Sequence, residues 1–417
     1  MVDRKLNTLR VEVACRLDVL TALEWQRLFP GFPDSLEMIQ HIQSAGMDRF
    51  SFHSLVVWDA DRPILMLPLF ETRYAVHSGY QGPGSDWLNR LADLLPQVFY
   101  PRVLGVGFVE GEWGQIGFDA TVPKARLQAA WQLALSTLYN LQRSLKSDLI
   151  AFVDFNQQSG AMIPMSALKG YATMASNPCG VLPIRYASLD HYLERLSRGM
   201  RKNLRRKLKK TDRLQVVRTT EPQPWQDQIY ALYQKTVERS DTIFGVQRPA
   251  YFETICQTVP GAEYTLYFLD EQLIGFNLLI RTVSQLVDKY FGMDPIIGRE
   301  YNLYFFSWLE NIQYCIRHQI PLYHAGPAAE GLKAKLAAEF IPAVIVFKHR
   351  NPLAQRVLQW LAPHLGYEPE IELPVARLGQ FWEANPIESP FRPFVPEGGL
   401  PDPHDSAFTE ESTTVSA

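Results

Sequence analysis

The chain has 417 residues, 47% of them hydrophobic, 12% aromatic and 20% charged, and its 41 Lys and Arg against 44 Asp and Glu leave a net charge of −3. That composition excludes a disordered, collagenous or low-complexity fibre for most of the length, and the length itself predicts two domains. A charge so near neutral also excludes a surface built throughout for nucleic acid or anionic membrane, so any such partner must be met by a segment.

Arg4, Lys5, Arg10, Glu12 and Arg16 interrupt the stretch Met1–Leu20, which therefore lacks the apolar run of a secretory signal. Apolar runs elsewhere, such as 343–347, fall far short of the roughly 20 residues that span a bilayer. A cytoplasmic location is expected. Cys15, Cys179, Cys256 and Cys315 are scattered without a C-x-x-C pair, which predicts buried thiols in a reducing compartment and neither a disulfide frame nor a metal site.

The first regular pattern is a hairpin. Strand-like runs at His53–Trp58 and Ile64–Phe70 flank a turn carrying Asp59, Asp61 and Pro63. Gly105 and Gly107, with Gly111 beyond, have the wrong spacing for a dinucleotide fingerprint and are read as strand and turn. Residues 125–145 place Leu127, Trp131, Leu133, Leu135, Leu138 and Leu141 at mainly helical spacings, which predicts an amphipathic helix, and a strand follows at Leu149–Asp154. Residues 156–187 are broken by Gly160, Pro164, Gly170, Pro178, Gly180 and Pro183, which predicts a connector with one strand over Val181–Tyr186.

The most unusual stretch is 188–213. Ser188 is a fitting N-cap, and Leu189, Leu193, Leu196, Met200, Leu204 and Leu208 recur every three or four residues, which predicts one amphipathic helix. Arg198, Arg201, Lys202, Arg205, Arg206 and Lys209 occupy its other faces with few acidic neighbours. Such an array is either a solvated face or a site for phosphate or carboxylate groups, for which Arg offers bidentate contacts.

A helix-like segment, Trp225–Arg239, ends at Arg239, Ser240 and Asp241, where a loop to Gly245 either covers a substrate or simply closes the helix. A second hairpin, Tyr264–Leu269 with Leu273–Ile280, is followed by a strand at Gln285–Phe291 bearing Asp288, Lys289 and Tyr290. A helix over Leu303–Arg317 and a strand over Pro321–His324 complete a second copy of the order hairpin, helix, strand. The next residues read as a strand end, a Gly/Pro loop and a short helix, so His324 and Lys333 stand where ligands of open α/β sheets gather; a backbone-satisfied histidine and a surface lysine are the plain alternatives. After a helix at Pro352–Leu365 the chain becomes rich in Pro and acidic residues, as expected of a disordered tail.

Several of these segments together resemble one family. Leu189-x-x-Tyr-Leu-x-x-Leu-Ser, Arg201-Lys-Asn-Leu-Arg-Arg206, Leu232–Ser240 with Phe244-Gly245, Gly292-Met-Asp294 and Gly326 with Leu332-Lys333 are similar to the FemAB-like branch of the GNAT acyltransferases. Glu24-Trp25, Ser44-Ala-Gly46, Leu67–Phe70 and Arg102–Gly107 extend the likeness into the amino-terminal half. The resemblance implies an α/β (α+β) protein of two tandem GNAT-like mixed-sheet domains with flanking helices, residues 1–160 and 188–370 around the connector 161–187, followed by a tail over 371–417. It implies transfer of an acyl or aminoacyl group to an amine acceptor, such as a nucleotide-linked peptidoglycan precursor, with acyl-CoA or aminoacyl-tRNA as donor and no metal. The acyl-CoA pyrophosphate loop of GNAT enzymes is replaced here by Ile297-Gly-Arg-Glu-Tyr301. Under this reading Arg201, Arg205, Lys333 and Arg239 hold anionic groups, Asp288 or His324 removes the amine proton, and Tyr290 protonates the leaving group. The rival expectations are a non-catalytic module that recognises an anionic glycan or nucleotide-linked precursor, and a nucleic-acid binder.

Overall fold

A computed structural model of the chain describes residues 9–365 apart from 31, 33, 76–89, 91, 93, 95, 161–162, 165–167, 241–244 and 328; the expected tail over 371–417 lies outside the described residues. Among the described residues, thirteen strands form one mixed sheet. The first hairpin is β2 (Ser51–Asp59) with β3 (Arg62–Arg73), preceded by an edge strand β1 (Leu9–Ala14). β4 (Arg102–Val106) continues the antiparallel order, and β5 (Gly117–Phe118) pairs aside with β3. The helix Lys124–Ser144 then carries the chain to β6 (Leu149–Asn156), which lies parallel to β4.

The carboxy-terminal half repeats that arrangement. β8 (Leu214–Thr219), β9 (Ala262–Leu269), β10 (Gln272–Arg281) and β11 (Gln285–Met293) form an antiparallel meander, and the helix Leu303–Arg317 leads to β12 (Leu322–Gly326), parallel to β11. Both helices bear the apolar stripe read from the sequence: Trp131 and Leu138 in the first and Leu309 and Ile312 in the second are buried.

The remaining two strands cross over. β7 (Ala172–Pro183) follows β6 in the chain but pairs with β12 of the other half, whereas β13 (Glu339–His349) follows β12 and pairs with β6. β7 and β13 pair with each other, so the two meanders merge into one sheet at its centre. The strand expected over Val181–Tyr186 thus starts earlier and is longer. A shared core reinforces the junction: Trp25, Leu28, Ile39 and Ile42 of the first half pack in one cluster with Tyr251, Phe252, Ile255 and Phe276 of the second. His41 reaches across to the Tyr251 carbonyl at 3.0 Å through Nε2.

The single basic helix expected over 188–213 is divided. A helix at Leu189–Arg195 stops at Leu196, and a second, Arg198–Lys207, begins from Ser197, whose hydroxyl accepts from the Met200 amide at 3.2 Å; a 3-10 turn, Leu208–Arg213, follows. The leucine spacing continues through the break, and the extended backbone of Leu196 is what it conceals. Tyr192, Leu196, Met200 and Leu204 are all buried, so the apolar stripe survives in two pieces. Ser197→Ala is expected to lower stability by about 1 kcal/mol in denaturant unfolding, the usual worth of an N-cap. No change would mean that packing alone sets the break.

Candidate active site between the two halves

β11 and β12 are paired only through Gln285↔Leu322, Leu286↔Tyr323 and Val287↔His324. At that point β11 shifts register against β10, with Leu278 opposite Tyr290 and Leu279 opposite Asp288, so Lys289 is an extra residue in the ladder. β12 ends at Gly326, whose φ of +70° suits glycine and turns the chain away. From Asp288 onward the two strands diverge, and among the described residues the edge of β11 that faced β12 has no strand partner there. A cavity of about 350 Å³ opens at this divergence.

The cavity has two ends of different chemistry. Its apolar end is lined by residues such as Val103, Leu149, Met174, Ile345, Phe347 and Leu358. The polar end gathers Glu110 and Glu112 from the loop after β4, Asp154 and Asn156 from β6, Ser176 and Cys179 from β7, and Asp288, Lys289 and Tyr290 from β11. Both halves of the chain, and the crossing strand, therefore contribute to one site.

Lys289 is the link between them. Its Nζ donates to Asp34 at 2.7 Å, to Glu112 Oε1 at 3.0 Å and to the Glu110 carbonyl at 2.8 Å, and its side chain is only 4% exposed. Burial opposes its charge, but Asp34 and Glu112 outweigh that and raise its pKa. Of the two carboxylates, burial pushes Asp34 up, whereas at Glu112 the same burial is overcome by Lys289 and His324 and the pKa falls to about 2.

Asp288 accepts from Asn277 Nδ2 at 2.9 Å, from the Tyr323 hydroxyl at 2.8 Å and from Asn311 Nδ2 at 3.3 Å. Burial nevertheless dominates and pushes its pKa up to about 6, a value suited to a general base near neutral pH. The Tyr290 hydroxyl donates to Glu110 Oε2 at 2.7 Å, and burial raises the pKa of both groups. Lys333 is buried, and its Nζ donates to the carbonyls of Ala325, Gly326 and Pro327 at 2.6, 2.9 and 2.9 Å. Burial lowers its pKa to about 8. His324, fully buried, turns Nδ1 toward Glu112 and Cys179.

The FemAB-like family model, described as peptidoglycan biosynthesis and recognition, matches residues 119–368, more than half of the chain. The chain belongs to the FemAB-like family. Its matched span includes β6, the crossing strand, the helices Leu189–Arg195 and Arg198–Lys207, the β11–β12 divergence and β13. No curated protein matches it. Among solved structures it is similar to FemX, at 13% identity over 84% of this chain and all of that one with a TM-score of 0.49. It is also similar to a tandem GNAT protein from the clavulanic acid biosynthesis pathway, at 13% identity over 82% and 99% with a TM-score of 0.48. L-PGS from Bacillus licheniformis aligns at 9% identity over 80% and 98% with a TM-score of 0.44. No helix among the described residues is long and apolar enough to cross a membrane.

In this FemAB-like chain the residues expected to form the site fall into two groups. Asp288 and Tyr290 line the cavity, with His324 behind Cys179 and Glu112, and Lys333 supports the turn at its mouth with all three N–H bonds directed at carbonyls. Arg201, Arg205 and Arg239 do not line it: Arg201 donates to the Glu194 carbonyl at 2.8 Å, and Arg205 and Arg239 are exposed. The loop expected over 241–245 lies outside the described residues save for Gly245. Sequence reasoning did not select Asp34, Glu110, Glu112, Asn277, Asn311 or Tyr323. Two signals pointed there, the Glu110-Gly111-Glu112 run in the loop beyond β4 and the adjacent charges Asp288 and Lys289 within a strand.

Proposed function

We propose that this protein is an acyl- or aminoacyltransferase that places its acyl group on an amine of a peptidoglycan-related, anionic precursor. The observation that carries the reading is the cavity at the β11–β12 divergence, where Asp288, with a pKa near 6, lies beside an unpartnered strand edge. The amine nitrogen attacks the donor carbonyl, a C–N bond forms, and the C–O bond of an aminoacyl ester or the C–S bond of a thioester breaks. Asp288 accepts the amine proton, and backbone N–H groups of the open β11 edge meet the developing oxyanion. Tyr290 is within the same wall and supplies a proton to the leaving oxygen or sulfur. The apolar arm of the cavity holds the non-polar part of a substrate, and Arg201, Arg205 and Arg239 meet donor phosphates outside it.

The test is incubation of the purified chain with panels of acyl-CoA and aminoacyl-tRNA donors and a nucleotide-linked muropeptide bearing a free amine, read by mass spectrometry. An amide product from one donor class is expected. Saturable binding of the muropeptide with no product from any donor would favour the recognition module instead.

A further inference from the structure

The four cysteines and nine histidines have no metal-ligand spacing in the sequence, yet folding brings one of each together with a carboxylate. Cys179 comes from the crossing strand β7, His324 from β12 and Glu112 from the loop after β4. Cys179 Sγ is 3.7 Å from Glu112 Oε2 and 3.9 Å from His324 Nδ1, and Nδ1 is 3.7 Å from the same Oε2. We infer that these three atoms form a binding site for a zinc-class divalent cation on the wall of the cavity.

Three features support the assignment. A point equidistant from the corners of this nearly equilateral triangle lies about 2.2 Å from each, within the span of Zn–S, Zn–N and Zn–O bonds. The imidazole–carboxylate separation of 3.7 Å is too long for a hydrogen bond, although both groups are buried; the thiol makes weak contacts to the carboxylate at 3.7 Å and to the imidazole at 3.9 Å. His324 turns Nδ1 toward the thiol and the carboxylate, and among the described residues its Nε2 has no hydrogen-bond partner.

The surroundings favour added positive charge. Asp34, Glu110, Glu112, Asp154 and Asp288 crowd the polar end, against Lys289 and Lys333. A cation binding as Cys179 loses its proton would be neutralised by that thiolate and Glu112, with His324 as the uncharged third ligand. The thiolate selects against magnesium and calcium, which prefer oxygen. Glu112 and Cys179 both line the cavity, so a cation held there would stand at its wall.

The test uses the full chain, stripped with chelator and then supplied with zinc or cobalt(II). One metal per chain by elemental mass spectrometry is expected. The cobalt form should show a thiolate-to-cobalt charge-transfer band that Cys179→Ser abolishes and Cys315→Ser, at another buried thiol, retains. Should Cys179→Ser fail to fold, Glu112→Gln and His324→Gln serve in its place, each weakening cobalt affinity by at least about tenfold. A folded native chain that takes up well under one equivalent of either metal would overturn the assignment, as would a charge-transfer band that persists in Cys179→Ser.

Discussion

Replacing Lys289 with methionine is expected to destabilise the protein by about 3–5 kcal/mol, the largest single effect of any side chain around the cavity. The substitution keeps much of the length and removes the ammonium group that donates to Asp34, to Glu112 and to the Glu110 carbonyl. Two carboxylates with side chains 3% and 6% exposed would then face one another in a medium that solvates neither. The loss is so large because it strands buried charge, not because the ion pair itself contributes much. Lys289 belongs to the carboxy-terminal half and its partners to the amino-terminal half, so the variant should unfold more readily at the junction. Chemical denaturation of native and variant chains measures it. A difference below about 1 kcal/mol would mean that water or rearrangement already compensates these carboxylates.

Asp288→Asn is expected to lower the rate of transfer by about 10²–10⁴-fold, the usual contribution of a positioned general base. In the native chain the rate should rise with pH through about 6 and level off above it, because burial keeps the carboxyl protonated in more acidic solution and only the ionised form accepts the amine proton. The variant should lose that limb. Its amide would also present N–H groups toward Asn277, Asn311 and Tyr323, all of which now donate to the carboxylate, so its melting temperature must be followed in parallel. The sign of the stability effect follows from the same shift. A carboxyl whose native pKa lies above its unfolded value binds a proton on folding, so Asp288 makes the native state less stable as pH rises from about 4 to 6. A variant that folds normally and transfers at the native rate would remove Asp288 from the chemistry.

Much of the fold was legible because much of it is local. Both hairpins, the helices at Lys124–Ser144, Leu303–Arg317 and Pro352–Leu365, and the strand after each of the first two follow from short-range spacing of apolar residues and turn formers. The recurring order was legible for the same reason. The division of the basic segment was not, since Ser197 reads as an ordinary polar position until its hydroxyl is seen capping Met200. The helices Ala22–Leu28 and Leu36–Ala45 were not selected from the sequence, although their buried residues complete the shared core, and neither was the edge strand β1.

The crossing of β7 and β13 depends on pairings between residues more than 150 positions apart, and no local pattern encodes them. The site inherits that difficulty. Asp288 and Tyr290 were visible as polar residues in a strand, but Asp34, Glu110 and Glu112 matter only because Lys289 is brought to them from the other half. Cys179 and His324 become neighbours only through the antiparallel pairing of β7 with β12, which sets His324 opposite Val181. Arg201 and Arg205 were conspicuous by composition, and the fold places them outside the cavity, where charge patterning alone does not reveal what they meet.

The most direct measurement is a single-turnover experiment with a donor whose acyl group carries an isotopic label, at enzyme in excess over donor and with the amine-bearing muropeptide present. The account predicts label in an amide bond of the muropeptide at close to one equivalent of donor, slowing as the pH is taken below about 6. Label that stays on the donor while both ligands remain bound would contradict it.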